Sequence, residues 1–370
     1  MKYSYWEYKE WFANNDFIVV GSGIVGLNCA IQLKKRSPRA KVLILEKGLL
    51  PQGASTKNAG FACFGSVSEL LSDLKSHTEE EVLQLVKKRW NGLQLLRKTL
   101  GDEHIDYQHN YGYELFQEKT FFEACRAEIP RLNTLLSPIF QQDVYEVVEN
   151  QFRFQKVTPN YIVNRFEGQI DTGKMMAELL KKALSLGIKI INNVTVKMYV
   201  ENGEKVVVNT DQGEFISRHL LFATNGFSKQ LLSENVQPAR AQVLVTKPIE
   251  NLHIKGTFHL DEGYYYFRNI NNRILFGGGR NLDFQAEETT EFGQTELVQK
   301  KLEQVLKETI LPDTPFEIDQ RWSGIMGVGD QKKAIVKQIS DKVFCGIRLG
   351  GMGVAIGSQV GKELADLIET

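Results

Sequence analysis

The sequence predicts an α/β fold, with a Rossmann-like dinucleotide-binding domain and an inserted substrate domain of α+β character, a mixed β-sheet plus helices. Three observations predict it. A strand, a glycine-rich turn, a helix and a second strand follow one another between residues 17 and 46. Strand and helix patterns then alternate along the rest of the 370 residues. Finally, the 31 glycines, against nine prolines, gather in clusters at the ends of predicted elements. The length suits two domains.

Taken in order, Phe17-Ile18-Val19-Val20 is a β-branched strand that stops at Gly21. Leu27 to Lys35 carries apolar residues at helical spacing and ends near Ser37-Pro38, and Lys41 to Leu45 is a second buried strand. Residues 79–99 form a long amphipathic helix with Val82, Leu85, Val86, Trp90, Leu93 and Leu96 on one side. Strands at 113–116 and 144–148 flank a helix over 121–136 that Pro130 is expected to interrupt. A helix over 172–186 stops at Gly187, and strands follow at 189–191, 195–200, 205–210 and 220–223. Further strands are expected at 242–246, 263–268 and 273–276, a helix over 291–310, strands at 334–337 and 342–346, and a last helix over 353–368. No repeat or linker divides the chain. The expected organisation is discontinuous: 1–66, 167–238 and 321–370 for the cofactor domain, 67–166 and 239–320 for the substrate domain.

Composition removes several classes of function. Lys+Arg 45 balance Asp+Glu 45, so there is no basic excess to neutralise phosphates, and nucleic acid is not an expected partner. No apolar run reaches the length of a transmembrane segment, and Met1 to Glu7 is polar and aromatic without a secretory core, so a cytoplasmic location is expected. Cys29, Cys63, Cys125 and Cys345 lack CxxC spacing and the six histidines lack HxxH, which predicts no metal site and treats the thiols as core residues.

Gly21-Ser22-Gly23-Ile24-Val25-Gly26 matches GxGxxG between strand and helix. The first glycine permits the tight turn, the second lets backbone approach a diphosphate, and the third packs helix on strand. The helix start offers free amides and the positive dipole end to the phosphates. Glu46, followed by Lys47 and placed 20 positions after Gly26, ends the second strand where it can accept from ribose hydroxyls. The acid disfavours NADP, and the motif by itself fits FAD and NAD equally.

Gly53-Ala54-Ser55-Thr56-Lys57-Asn58-Ala59-Gly60-Phe61 follows directly and is rich in small and hydroxylated residues. Here the chain resembles the D-amino-acid oxidase superfamily of flavoproteins, which includes glycine oxidase, sarcosine oxidase and D-amino-acid dehydrogenases. In that family such a segment wraps the diphosphate and ribityl chain and reaches the flavin. The resemblance continues through Glu167-Gly168-Gln169-Ile170-Asp171 and its helix, Val196 at the adenine-contacting position, the turn Ala223-Thr224-Asn225-Gly226, and the terminal Gly350-Gly351-Met352-Gly353-Val354-Ala355 at the flavin. It covers essentially the whole chain and implies FAD as cofactor. No histidine stands where some relatives attach the flavin, so the resemblance implies non-covalent binding.

On the substrate side, Tyr264, Tyr266 and Arg268 share one face of a predicted strand, with Tyr265 and Phe267 on the other. Arg280 is a further candidate. Many family members carry an arginine in W-x-G-x-R-P that holds the substrate carboxylate; Arg321-Trp322-Ser323-Gly324-Ile325-Met326 has Met326 there, leaving Arg268 or Arg348 to serve, or a substrate without that carboxylate. Lys57 is expected beside the flavin ring. The resemblance implies oxidation of an amine or amino acid at its C–N bond to an imine, with hydride passing to flavin N5 and oxygen or a quinone as acceptor. Oxidation of a 2-hydroxy acid, and flavin binding without turnover, remain alternatives at this point.

Overall fold

A computed structural model describes residues 3–368. Met1, Lys2, Glu369 and Thr370, the outer ends of the expected cofactor domain, lie outside the described residues.

The β-branched run becomes the strand Asn15–Val20, central in a parallel array that also holds Val42–Leu45 and Lys189–Ile191 on one side and Gly213–Phe222 and Val343–Ile347 on the other. Ile335–Ser340 closes one edge antiparallel, and the hairpin Val196–Asn202 with Lys205–Thr210 extends from Gly213–Phe222. Strands from the start, middle and end of the chain thus share one sheet. Their buried, Val/Ile/Leu-rich sequences suit a parallel sheet covered on both faces. One face carries the helices Ile24–Arg36, Thr172–Ser185 and Gly353–Asp366 through Leu27, Ile31, Met175, Leu179, Val360 and Leu364. Val206, Val208 and Phe215 help cover the other.

The second sheet has eight strands, ordered Ile318–Val328, Gln237–Thr246, Arg273–Gly278, Tyr265–Ile270, Thr257–Leu260, Gly112–Glu114, Asn160–Asn164 and Tyr145–Glu149. An aromatic cluster of Phe152, Phe154, Phe258, Phe267 and Phe276 fills one of its faces. Stacked and edge-on rings are the expected packing, as in the 4.6 Å stack of Phe258 on Phe267. Ile318–Val328 runs antiparallel to Gln237–Thr246 over almost its whole length, so the expected boundary at 321 falls inside a strand of the second sheet.

Some expectations change. The helix Lys119–Phe140 runs unbroken through Pro130 and Pro138: both prolines lie on its solvent face, and the Thr134 carbonyl that Pro138 leaves free accepts from Ser137 Oγ at 2.9 Å. The helix expected over 291–310 is only Glu296–Val305, extended by a wider turn over Leu306–Ile310; residues 283–295 form a loop over the cavity described below. The helix Val67–Leu74, begun by a capping box of Ser66 and Glu69, was not anticipated. Glu79–Leu100 belongs to both halves: Leu93, Leu96 and Leu100 pack into the core of the first sheet, while Val82 and Val86 pack with Val67–Leu74 and Lys119–Phe140. Gly92 permits this, since a Cβ there would stand 2.2 Å from the Ala355 carbonyl oxygen. No helix among the described residues is long and apolar enough to cross a membrane.

Candidate active site

The carboxyl ends of Asn15–Val20, Val42–Leu45 and Gly213–Phe222 open on a cavity of about 680 Å³, at the point where the strand order reverses about the central strand. Gly21 turns the chain out of the sheet at φ +100°, a conformation a side chain would strain. Gly26 lies against it, and a Cβ there would stand 1.9 Å from the Gly21 carbonyl oxygen. Ile24–Arg36 therefore starts hard against the strand, with its amino end on the cavity.

That end has no side-chain cap. Ser55 Oγ accepts the Ile24 amide at 2.9 Å, tying the small-residue loop to the helix start. The loop holds itself by Asn58: its Nδ2 donates to the Ser55 carbonyl at 2.8 Å, and its Oδ1 accepts from the Gly60 amide and from Thr172 Oγ1, each at 2.8 Å. Trp322 Nε1 donates to the Lys57 carbonyl at 2.9 Å from the second sheet. A second uncapped helix, Gly353–Asp366, brings its amino end to the same cavity. Asn225, at φ +44°, fixes this turn by accepting the Leu349 amide at 3.1 Å.

Of the expected cofactor residues, Gly21, Gly23, Ile24, Val25, Glu46, Lys47, Gly53, Ala54, Ser55, Asn58, Ala59, Phe61, Val196, Ala223, Thr224, Asn225, Gly351, Met352, Gly353 and Val354 line the cavity. Five do not. Ser22 points back, donating from its amide at 2.9 Å and its hydroxyl at 2.6 Å to Glu46 Oε2, whose other oxygen takes the Gly48 amide at 2.9 Å. Gly26 packs on Gly21, Gly60 against the Ile170 carbonyl, Gly226 against the Met326 carbonyl, and Ala355 against Glu79–Leu100.

The substrate-side residues divide likewise. Tyr264, Tyr266, Lys57, Arg280 and Met326 line the cavity. Tyr266 lies over Gly277, with Phe61 edge-on at 5.6 Å, and burial pushes its phenol up to about 12, so it is a hydrogen-bond donor at neutral pH. The Arg280 guanidinium stands 5.7 Å from the Tyr264 ring centre and Lys57 Nζ 6.0 Å from that of Phe292. Two arginines are corrected. Arg268 is 2% exposed beneath the small-residue loop, donating to the Gly60 carbonyl at 3.4 Å; burial, only partly offset by Asp171 and Asp106, lowers it to about 10. Arg348, at φ +62°, turns away from the cavity, and its guanidinium donates to the carbonyls of Lys333 at 3.0 Å and Asn235 at 3.2 Å. Neither lines the cavity; of the expected arginines Arg280 does, beside Tyr264.

Sequence reasoning missed Cys63, Glu69, His259, Glu291 and Phe292 on the cavity wall. His259, in the strand Thr257–Leu260, and Cys63, just after the strand Phe61–Ala62, come from separate segments and carry no spacing signal. The Glu291-Phe292 loop was hidden by the helical pattern assigned to it.

The residues fit FAD. A cavity of about 680 Å³ whose wall joins two helix starts without N-cap side chains, an acid at the second strand end and glycines that allow close approach would hold a dinucleotide, the helix starts favouring its negative charges.

Known proteins agree. The chain is 23% identical over 275 residues to glycine oxidase of Geobacillus kaustophilus, covering 71% of this chain and 69% of the relative. It is 22% identical over 378 residues to the probable oxidoreductase OrdL of Haemophilus influenzae, covering 95% and 82%. Against the bifunctional ThiO/ThiG protein of Synechocystis sp. it is 24% identical over 303 residues, 76% of this chain but only 41% of that longer protein. The crystal structure of the Geobacillus kaustophilus glycine oxidase superposes with a TM-score of 0.77 at 19% identity, covering 96% of both chains. That of L-proline dehydrogenase from P. horikoshii superposes with a TM-score of 0.76 at 16% identity, covering 96% of this chain and 93% of the other. The family model for FAD dependent oxidoreductase, DAO, matches residues 16–367, and the chain belongs to that family of FAD-dependent enzymes.

Proposed function

We propose that the chain oxidises the C–N bond of an amine or amino acid to an imine. The observation that carries this reading is a shared cavity wall on which Tyr264 and Tyr266 stand with Phe61, 5.6 Å from the Tyr266 ring, and with Met326, whose sulfur lies 4.0 Å from the Cβ position of Gly351 in the turn where the flavin ring is expected. FAD, when bound, supplies at N5 the acceptor for the hydride lost by the carbon beside the nitrogen. The protein's part is orientation and exclusion. Tyr264 and Tyr266 offer hydroxyls to polar groups of the substrate, and Phe61 and Met326 shield the reacting carbon from water. An amine placed among these apolar groups, near Lys57 and Arg280, loses its proton more readily and enters as the neutral form from which hydride leaves. Released imine hydrolyses in water. The glycine oxidase and L-proline dehydrogenase among the similar proteins are both named for amino acids, which supports this class of substrate.

The cofactor is assigned to segments 1–66, 167–238 and 321–370 and the substrate to 67–166 and 239–320, except that Ile318–Val328 goes with the second sheet. The test is anaerobic bleaching of the yellow holoprotein by a panel of D- and L-amino acids, N-methyl amino acids, simple amines and 2-hydroxy acids. Bleaching by C–N substrates with release of amine or ammonia is expected. Bleaching by hydroxy acids alone, or by nothing in the panel, would overturn the reading. Reoxidation by air or by a quinone then identifies the acceptor.

A further inference from the structure

Behind Phe61, at the substrate end, three groups unused so far come together. One side-chain donor or acceptor atom from each of Cys63, Glu167 and His259 lies within 4.8 Å of the others, and all three residues are buried. His259, from Thr257–Leu260, and Cys63 line the cavity, whereas Glu167 does not, so the carboxylate stands behind the imidazole as seen from the substrate. Its Oε2 meets His259 Nε2 at 3.3 Å, and its Oε1 accepts the amides of Phe64 at 3.2 Å and Gly65 at 3.4 Å. Gly112 packs against it so closely that a Cβ there would stand 2.0 Å from Oε2. The carboxylate is therefore fixed, and it fixes the ring. The other ring nitrogen, Nδ1, has no hydrogen-bond partner among the described residues, yet it is not a buried unpartnered atom. His259 lines the cavity beside Phe61, whose ring meets the imidazole edge-on at 5.2 Å.

We propose that His259, held by Glu167, is the anion-binding group of this cavity, and that its Nδ1–H takes the carboxylate of an amine-bearing substrate in place of the arginine absent at Met326. The inference rests on the amine-oxidation reading and narrows it to amino acids. An imidazole whose Nε2–H is committed to a carboxylate presents Nδ1 as a donor when charged and as an acceptor when neutral. Burial alone would discharge the ring; the hydrogen bond and charge of Glu167, with Glu69 and Glu114 adding, outweigh burial and raise it to about 9. Arg89 is turned away, donating to the Phe64 carbonyl at 2.7 Å; Lys57, Arg280 and Lys332 share the cavity wall, Lys57 with its Nζ 6.0 Å from the Phe292 ring, Arg280 5.7 Å from the Tyr264 ring and Lys332 paired with Asp73. Through the neutral range the cavity thus faces a donor.

The test uses acetate and benzoate, which carry the carboxylate and no amine, titrated into the holoprotein and followed calorimetrically and by the flavin spectrum. Binding is expected at pH 7, weakening by about tenfold per pH unit above about 9 as Nδ1 changes from donor to acceptor. His259→Asn is expected to weaken it by about tenfold or more at pH 7, and Glu167→Gln to move the pH break downward. With amino acids, His259→Asn is expected to raise KM more than it lowers kcat. Equal carboxylate affinity in wild type and folded, FAD-loaded His259→Asn would overturn the inference. So would one equivalent of zinc retained by the wild type and lost in Cys63→Ser, because Nε2 would then be a metal ligand. If no amine is oxidised, the amine-oxidation reading fails while the carboxylate titration still reports on His259. If amino acids are oxidised but His259→Asn binds acetate normally, only the inference fails.

Discussion

Replacing Gly26 by alanine tests the claim that the first helix is pressed against the strand in order to present its amides. The new Cβ would stand 1.9 Å from the Gly21 carbonyl oxygen, 3.1 Å from its carbon and 3.3 Å from Val19 Cγ1. Backbone blocks it on the Gly21 side, so no rotamer change relieves the clash. The contact has to open to at least 3.0 Å, which moves the helix start by about 1.1 Å. A hydrogen bond of about 2.9 Å stretched by that amount is lost. Two amide-to-phosphate bonds at about 1.5–3 kcal/mol each make about 3–6 kcal/mol, or roughly 10²- to 10⁴-fold in FAD affinity. The overpacked apoprotein should lose about 1–3 kcal/mol of stability as well. Titration of apoprotein with FAD, read by quenching of flavin fluorescence, gives the affinity, and thermal unfolding of the apoprotein gives the stability. A Gly26→Ala protein that binds FAD within about threefold of wild type, with an unchanged apoprotein Tm, would refute the reasoning.

Glu46→Gln replaces an acceptor of three hydrogen bonds by a group with one acceptor oxygen, and it should cost about 2–4 kcal/mol in apoprotein stability, read by thermal unfolding, and weaken FAD binding, read by the fluorescence titration. Trp322→Phe removes the tie to the Lys57 carbonyl and should weaken FAD binding by roughly 2- to 10-fold, by that fluorescence titration, with the fold intact. Glu114 is buried, and burial outweighs the hydrogen bonds from Ser66 and Ser68, raising its pKa from 4.5 to about 7. The folded state then binds the extra proton, so stability falls as pH rises from about 4.5 to about 7 and stays lower above that. Glu114→Gln should flatten that slope in denaturant unfolding measured across the range.

The cofactor half was legible because its demands are local. Backbone that turns at positive φ or approaches a neighbour within bonding distance has to be glycine, and the acid at the second strand end has to follow at a fixed interval. The substrate half is assembled differently. His259, Glu167 and Cys63 lie on three separate segments, and nothing in their spacing announces that Gly112 leaves room for the carboxylate between them. Arg348 misled for a related reason: its place beside the terminal glycines is right, but its left-handed backbone sends the guanidinium to the Asn235 and Lys333 carbonyls. Pro130 looked like a break because sequence does not reveal which face of a helix meets water.

The sheet that strings together the start, middle and end of the chain also sets a timetable. Asn15–Val20 pairs with Gly213–Phe222, which in turn pairs with Val343–Ile347, and the cavity is walled by residues as far apart as Gly21 and Val354. At about 5–20 residues per second, a ribosome needs roughly 15–70 s between making the first of these walls and the last. Until then the amides that face the cofactor have no opposite side to hold it, and one flank of the central sheet is bare. Capture of FAD thereby waits until Val354 has been made, and the nascent chain up to that point folds without its help.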